Sequence, residues 1–80
     1  MKIPEIKRLV GSFSREELVQ AEEQIANEEE PAINVTGDDE GEKLTHVLAA
    51  IYIMDKMNEG MEFKSALRDY TGKVRESING

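Results

Sequence analysis

The sequence predicts an all-α fold, a four-helix array with a short first helix and a C-terminal antiparallel helical hairpin. Three observations predict it. Apolar residues recur at i, i+3, i+4 and i+7 through most of the chain. A capping box and several glycine and proline breaks divide that pattern into segments. The one run of alternating β-branched residues is too short to make a sheet and has no second strand to pair with. Eighty residues make one domain, 1–80, and a chain of this size buries only roughly 60% of its unfolded surface. Its helices must therefore pack well, or its subunits must associate.

The first helix follows from Ile3, Ile6, Leu9 and Val10 at helical spacing, with Pro4 where a first turn tolerates a missing amide donor. Gly11 is expected to close it by taking the left-handed conformation. Ser14-Arg15-Glu16-Glu17 then reads as a capping box, flanked by Phe13 and Leu18 as a hydrophobic staple. It opens a second helix from Arg15 to about Glu29, with a thin apolar face of Leu18, Val19, Ala21, Ile25 and Ala26. Like charges at Glu28-Glu29-Glu30 oppose the negative end of the helix dipole, and Pro31 disfavours a helical Glu30. Ala32-Ile33-Asn34-Val35 is expected as an extended loop fastened to the core by Ile33 and Val35.

Thr36 or an aspartate caps a third helix whose first turn is rich in acids. Leu44, Val47, Leu48, Ile51 and Met54 form its stripe, and Ala49, Ala50, Tyr52, Ile53 and Met57 fill the flanks, so nearly the whole circumference from Val47 to Met54 is apolar. A helix apolar all round is enclosed by others. Truncating Leu48 or Ile51 to alanine is expected to cost about 2–5 kcal/mol. Asn58-Glu59-Gly60 stops this helix, and Met61, Phe63, Ala66, Leu67, Tyr70, Val74 and Ile78 mark a fourth. So short a connection makes the two antiparallel neighbours. Asp69 and Lys73 are placed as an i, i+4 pair. Gly72 marks either a close helix contact or a weak point.

The formal net charge is −7, and it is unevenly spread. Residues 1–40 hold eleven acids and four bases, residues 41–80 six of each, and no Lys or Arg occurs from Glu16 through Glu42. Such a field repels phosphate backbones and anionic lipid, so no nucleic acid and no membrane partner is expected. A basic protein or a cation is the natural electrostatic partner. With no cysteine, thiolate chemistry and cysteine-ligated metals are excluded. The start of the chain lacks a signal-peptide apolar run, and Val47 to Met54 is far short of a membrane span, so a cytoplasmic location is expected.

Met1-Lys2-Ile3-Pro4 with Ile6 and Leu9, then Gly41-Glu42, Leu44-Thr45, Ala50-Ile51, Gly60-Met61, Ala66-Leu67, Tyr70, Lys73-Val74 and Ser77-Ile78, carry a likeness over nearly the whole chain. In these residues and their spacing the sequence resembles a small acidic all-helical bacterial protein family of unknown function. Relatives carry an asparagine and a cysteine where this chain has His46 and Leu48. The resemblance implies an all-helical fold and supplies no activity, cofactor or catalytic residue.

Two constellations invite chemistry. His46, the only histidine, follows Glu42 by one turn, but zinc needs at least three protein ligands. As an acid–base pair the two lack a nucleophile and a phosphate loop beside them. Asp38-Asp39-Glu40-Gly41-Glu42 fails the calcium-loop pattern, which demands a glycine at the sixth position and a glutamate at the twelfth where this chain has Lys43 and Ala49. No enzyme, no cofactor and no metal site is therefore expected. The acid-rich second helix reads as a solvated face or as a docking site for a basic protein partner. Ile51, Met54, Met57, Met61, Phe63 and Tyr70 form the expected interface: methionines pack adaptably, and four short helices cannot hide this much apolar surface from water. The expected function is a self-associating protein-interaction module, a homo-oligomer (dimer) joined through the third and fourth helices. The alternative is weak divalent-cation or small-ligand binding through the acidic loop 36–46.

Overall fold

The computed structural model describes residues 2–79, with side chains through residue 74. Four helices, α1 (Ile3–Ser12), α2 (Arg15–Ala26), α3 (Glu40–Asn58) and α4 (Phe63–Asn79), follow one another, and no strand occurs among the described residues. The fold is all-α, with α1, α2 and α4 each packed against α3.

Pro4 lies in the first turn of α1, where its missing donor costs nothing. Gly11 does not end that helix. The helical bonds run on to Ser12, and Phe13 leaves in extended backbone with its N–H on the Leu9 carbonyl. The reason is the next helix, whose cap residue Ser14 is itself extended, so the chain turns through Phe13 and Ser14 without a left-handed residue. Both halves of the capping box are made, the Glu17 amide donating to Ser14 Oγ at 3.2 Å and the Ser14 amide to Glu17 Oε1 at 3.0 Å.

α2 stops at Ala26, short of the expected Glu29. Glu28 takes φ 62°, its N–H bonds the Ile25 carbonyl, and the Glu29 N–H reaches the Gln24 carbonyl at 2.8 Å. That pair of bonds is the Schellman ending. α3 ends in the same way, with Gly60 at φ 100° and the Met61 N–H on the Lys56 carbonyl. Glycine takes the left-handed conformation freely, whereas a glutamate there is disfavoured by roughly 1–2 kcal/mol. The run of acids thus ends α2 one turn early despite that strain.

The segment between α2 and α3 is an extended loop, as its composition predicts. Val35 is buried and Ile33 packs against the core. Gly37 lies so close to α3 that a β-carbon would meet the Lys43 backbone nitrogen at 2.9 Å. Asp39 caps α3, accepting from the Glu42 amide at 2.8 Å.

Two apolar clusters meet on α3. One joins α1, α2, the loop and α3 through Leu9, Leu18, Ala21, Ile25, Val35, Val47 and Ala50. The other joins α1, α3 and α4 through Ile6, Ala49, Ile53 and Ala66. Leu48 belongs to neither: it is 39% exposed, which corrects its place in the expected core stripe. The inward stripe is carried instead by His46, Val47, Ala49, Ala50 and Ile53, because three helices converge on that side. Ile51 is half-buried against the first cluster.

α4 begins at Phe63 rather than Met61 and returns along α3, with the Tyr52 and Tyr70 rings 5.5 Å apart. Asp69 accepts from the Tyr52 hydroxyl, so it faces α3 instead of pairing with Lys73. A β-carbon at Gly72 would meet open space, which rules out a close helix contact there. The expected core residue Ile78 lies outside the described side chains.

Candidate functional site

The most concentrated polar chemistry lies where α1, the loop and α3 meet. Glu5 is only 7% exposed, and a buried carboxylate must be paired to stay charged. Arg8, one turn on, grips it with two bonds, Nε to Oε1 at 2.6 Å and Nη2 to Oε2 at 2.8 Å. The Thr36 amide donates to Oε2 at 2.7 Å, and Arg8 Nη2 also reaches the Asn34 carbonyl at 2.6 Å. The Arg8 hydrogen bond, helped by the Thr36 amide and opposed by burial, holds the Glu5 carboxyl at about 2. The same bond raises the Arg8 guanidinium above its ordinary value.

His46 completes the cluster and is fully buried. Its Nδ1 lies 2.8 Å from the Thr36 carbonyl, and its Nε2 lies 2.9 Å from the Lys2 backbone nitrogen. A carbonyl only accepts and an amide N–H only donates, so this geometry assigns the proton to Nδ1 and the lone pair to Nε2. One imidazole therefore ties the start of α1 and the end of the loop to α3. The acid and base in this clasp spend their hydrogen bonds on the fold. An open depression of about 650 Å³ adjoins them, lined by Lys2, Ile3, Pro4, Glu5, Arg8 and Thr36.

The clasp separates Glu42 from His46, the pair adjacent in the helical register. His46 faces inward, while the Glu42 carboxylate accepts from the Asp38 amide at 2.8 Å, a bond that lowers its pKa. The other loop acids are also engaged. Asp39 is the cap, Asp38 lies 3.5 Å from Lys2 Nζ, and Glu40 lies 3.6 Å from Lys43 Nζ. Among the described residues no three His, Asp or Glu side chains converge as metal ligands. The sequence does not single out Glu5 and Arg8. Acid-first spacing at i, i+3 was the one available signal, and it is common on solvated helices.

The second candidate is the outward side of α3 and α4. Of the six expected interface residues, Met57 and Met61 are 38% and 36% exposed on either side of the Gly60 turn. Ile51 and Met54 are half-buried against the first cluster, and Phe63 and Tyr70 against the second. Leu48 and Val74 are 39% and 40% exposed. Tyr52 is held by its bond to Asp69, which together with burial pushes its hydroxyl up to about 12, and Lys56 Nζ lies 5.6 Å from its ring centre. It is therefore a fixed neutral phenol. At the α2 edge, Arg15 pairs with Asp55 at 2.7 and 3.3 Å, which raises the guanidinium further.

No helix among the described residues is long and apolar enough to cross a membrane. A family model described as a family of unknown function, DUF6952, matches residues 1–79. No curated protein and no solved structure matches the chain.

Proposed function

We propose, from the premise that this chain belongs to DUF6952, a family of unknown function, that it is a non-enzymatic, self-associating protein-interaction module of the bacterial cytoplasm. One observation carries the reading: among the described residues, four of the five large apolar side chains more than a third exposed, Leu48, Met57, Met61 and Val74, lie on α3, α4 and the turn between them, the fifth being Ile3 at the start of α1. Exposed apolar side chains mark interaction sites where they gather into a patch. The charge distribution supports the same choice. Residues 41–80 are charge-balanced, whereas α2 carries acids and a single base, Arg15, so two copies repel each other least through the hairpin.

Sedimentation equilibrium at micromolar concentration tests the proposal. Wild-type protein is expected at dimer mass, and Met57→Glu at or near monomer mass, since a charge buried without a partner is strongly unfavourable. Wild-type protein that stays monomeric would overturn the reading. The alternative, cation binding through residues 36–46, finds its acids already used as cap, loop and ion-pair partners. Millimolar calcium, magnesium or zinc is expected to leave the melting temperature unchanged, because only a ligand of the native state raises it. A rise would revive that alternative.

A further inference from the structure

His46 joins three parts of the chain through two hydrogen bonds, and both depend on where its single ring proton sits. The ring is fully buried, with Nδ1 2.8 Å from the Thr36 carbonyl and Nε2 2.9 Å from the Lys2 amide nitrogen. A second proton would have to go to Nε2, where it would meet the Lys2 N–H donor against donor. Both ring nitrogens face backbone groups, so no carboxylate is placed to balance a charge on the ring, and the charged groups around it are committed elsewhere. On α1, Glu5 is closed by Arg8 and the Thr36 amide, and Lys2 Nζ lies 3.5 Å from the loop's Asp38. On α3 itself, Glu42 takes the Asp38 amide and Lys43 lies 3.6 Å from Glu40. α2 packs through Leu18, Ala21 and Ile25, its Arg15 held by Asp55. α4 packs through Ala66, Leu67 and Tyr70, its Asp69 held by Tyr52.

We propose that His46 is a proton-operated latch: the neutral ring holds the start of α1 and the end of the loop on α3, and protonation releases both while the helical core stays folded. A buried imidazole with no room for a second proton must leave its slot to become charged. Outside the slot it is an ordinary imidazole, which charges below about pH 6.5. The latch is therefore closed above that pH, and its closed-to-open ratio falls by about tenfold for each pH unit below it. Release stays local because neither Lys2 nor Thr36 belongs to either apolar cluster. The same two residues line the depression beside Arg8, so opening the latch reshapes that surface.

Amide hydrogen exchange of the full chain, read residue by residue by NMR at pH 7.5 and pH 5.5 and corrected for the intrinsic pH dependence of exchange, tests the latch. In wild type, protection of the Lys2 and Thr36 amides is expected to fall about tenfold between the two conditions, with Ala50 and Ile53 unchanged. Glu5, held at about 2, keeps its charge across this window. His46→Gln offers one donor and one acceptor that do not titrate, and its protection at Lys2 and Thr36 is expected to be the same at both pH values. Equal protection in wild type at both pH values would overturn the latch, as would a parallel loss at Ala50 and Ile53, which is unfolding of the whole domain. A loss that persists in His46→Gln would assign the effect to another group. Nitrogen-15 shifts of the wild-type ring give a readout that needs no variant: a doubly protonated ring while Lys2 and Thr36 stay protected would also overturn the proposal.

Discussion

The inward and outward sides of α3 are made of the same residue types, yet one is sealed by three helices and the other meets water. Val47, Ala50 and Ile53 are fully buried, while Leu48, one residue from Val47, is 39% exposed. The inward side also accepts polar groups, since His46 is buried there with both ring nitrogens engaged. Apolarity therefore does not mark the inside of this helix. What distinguishes the two sides is whether neighbours supply partners, apolar for Ile53 and hydrogen-bonding for His46.

The largest expected effect tests that contrast directly. Ile53→Ala opens a cavity between α1, α3 and α4 and should cost about 2–5 kcal/mol, read as a lower urea midpoint. Equal losses from Ile53→Ala and Leu48→Ala would break the comparison. Next is the acid dependence of the clasp. The Glu5 carboxyl is lowered from 4.5 to about 2, so its contribution is complete above pH 4.5 and is lost as the pH falls towards 2. That contribution is at most roughly 3 kcal/mol. A urea titration across this range should show the loss in wild type and a flatter profile in Glu5→Gln.

His46→Leu sharpens the polar half of the contrast. It keeps an apolar group in the pocket but leaves the Thr36 carbonyl and the Lys2 amide without their ring partners. Each orphaned buried group costs about 1–3 kcal/mol, less where water can reach it. A neutral result in urea unfolding would show that water replaces the ring. The smallest effect is Leu48→Ala, expected within about 0.5 kcal/mol in the monomer. The same substitution should lower dimer content in sedimentation, and a change in stability without a change in mass would assign Leu48 to the fold instead.

Much of the architecture is legible in local signals. Ser14 and Glu17 announce a helix start because both hydrogen bonds of the box lie within four residues, and Gly60 announces a stop because the left-handed conformation favours it. Gly11 misleads for the same reason. It has a stop signal's composition but sits inside the helix, since Phe13 and Ser14 make the turn in extended backbone. Glu28 misleads in reverse, occupying at a cost the position a glycine would signal. Of the expected interface residues, Met57 and Met61 stand exposed, while Ile51, Met54, Phe63 and Tyr70 also lean on the core. A side chain's outward share depends on helices far away in sequence.

By itself the sequence determined four helices, their approximate limits, the acidic first half and the central place of α3, because periodicity, capping and charge act over one or two turns. Only the tertiary structure decided which side of α3 is enclosed, that Glu5 and Arg8 fasten the loop across 26 and 31 residues, and that His46 is buried between residues 2 and 36. Those outcomes depend on long-range packing: an all-apolar circumference has no preferred side until its neighbours arrive, and a buried charge is tolerable only where distant backbone groups complete its hydrogen bonds.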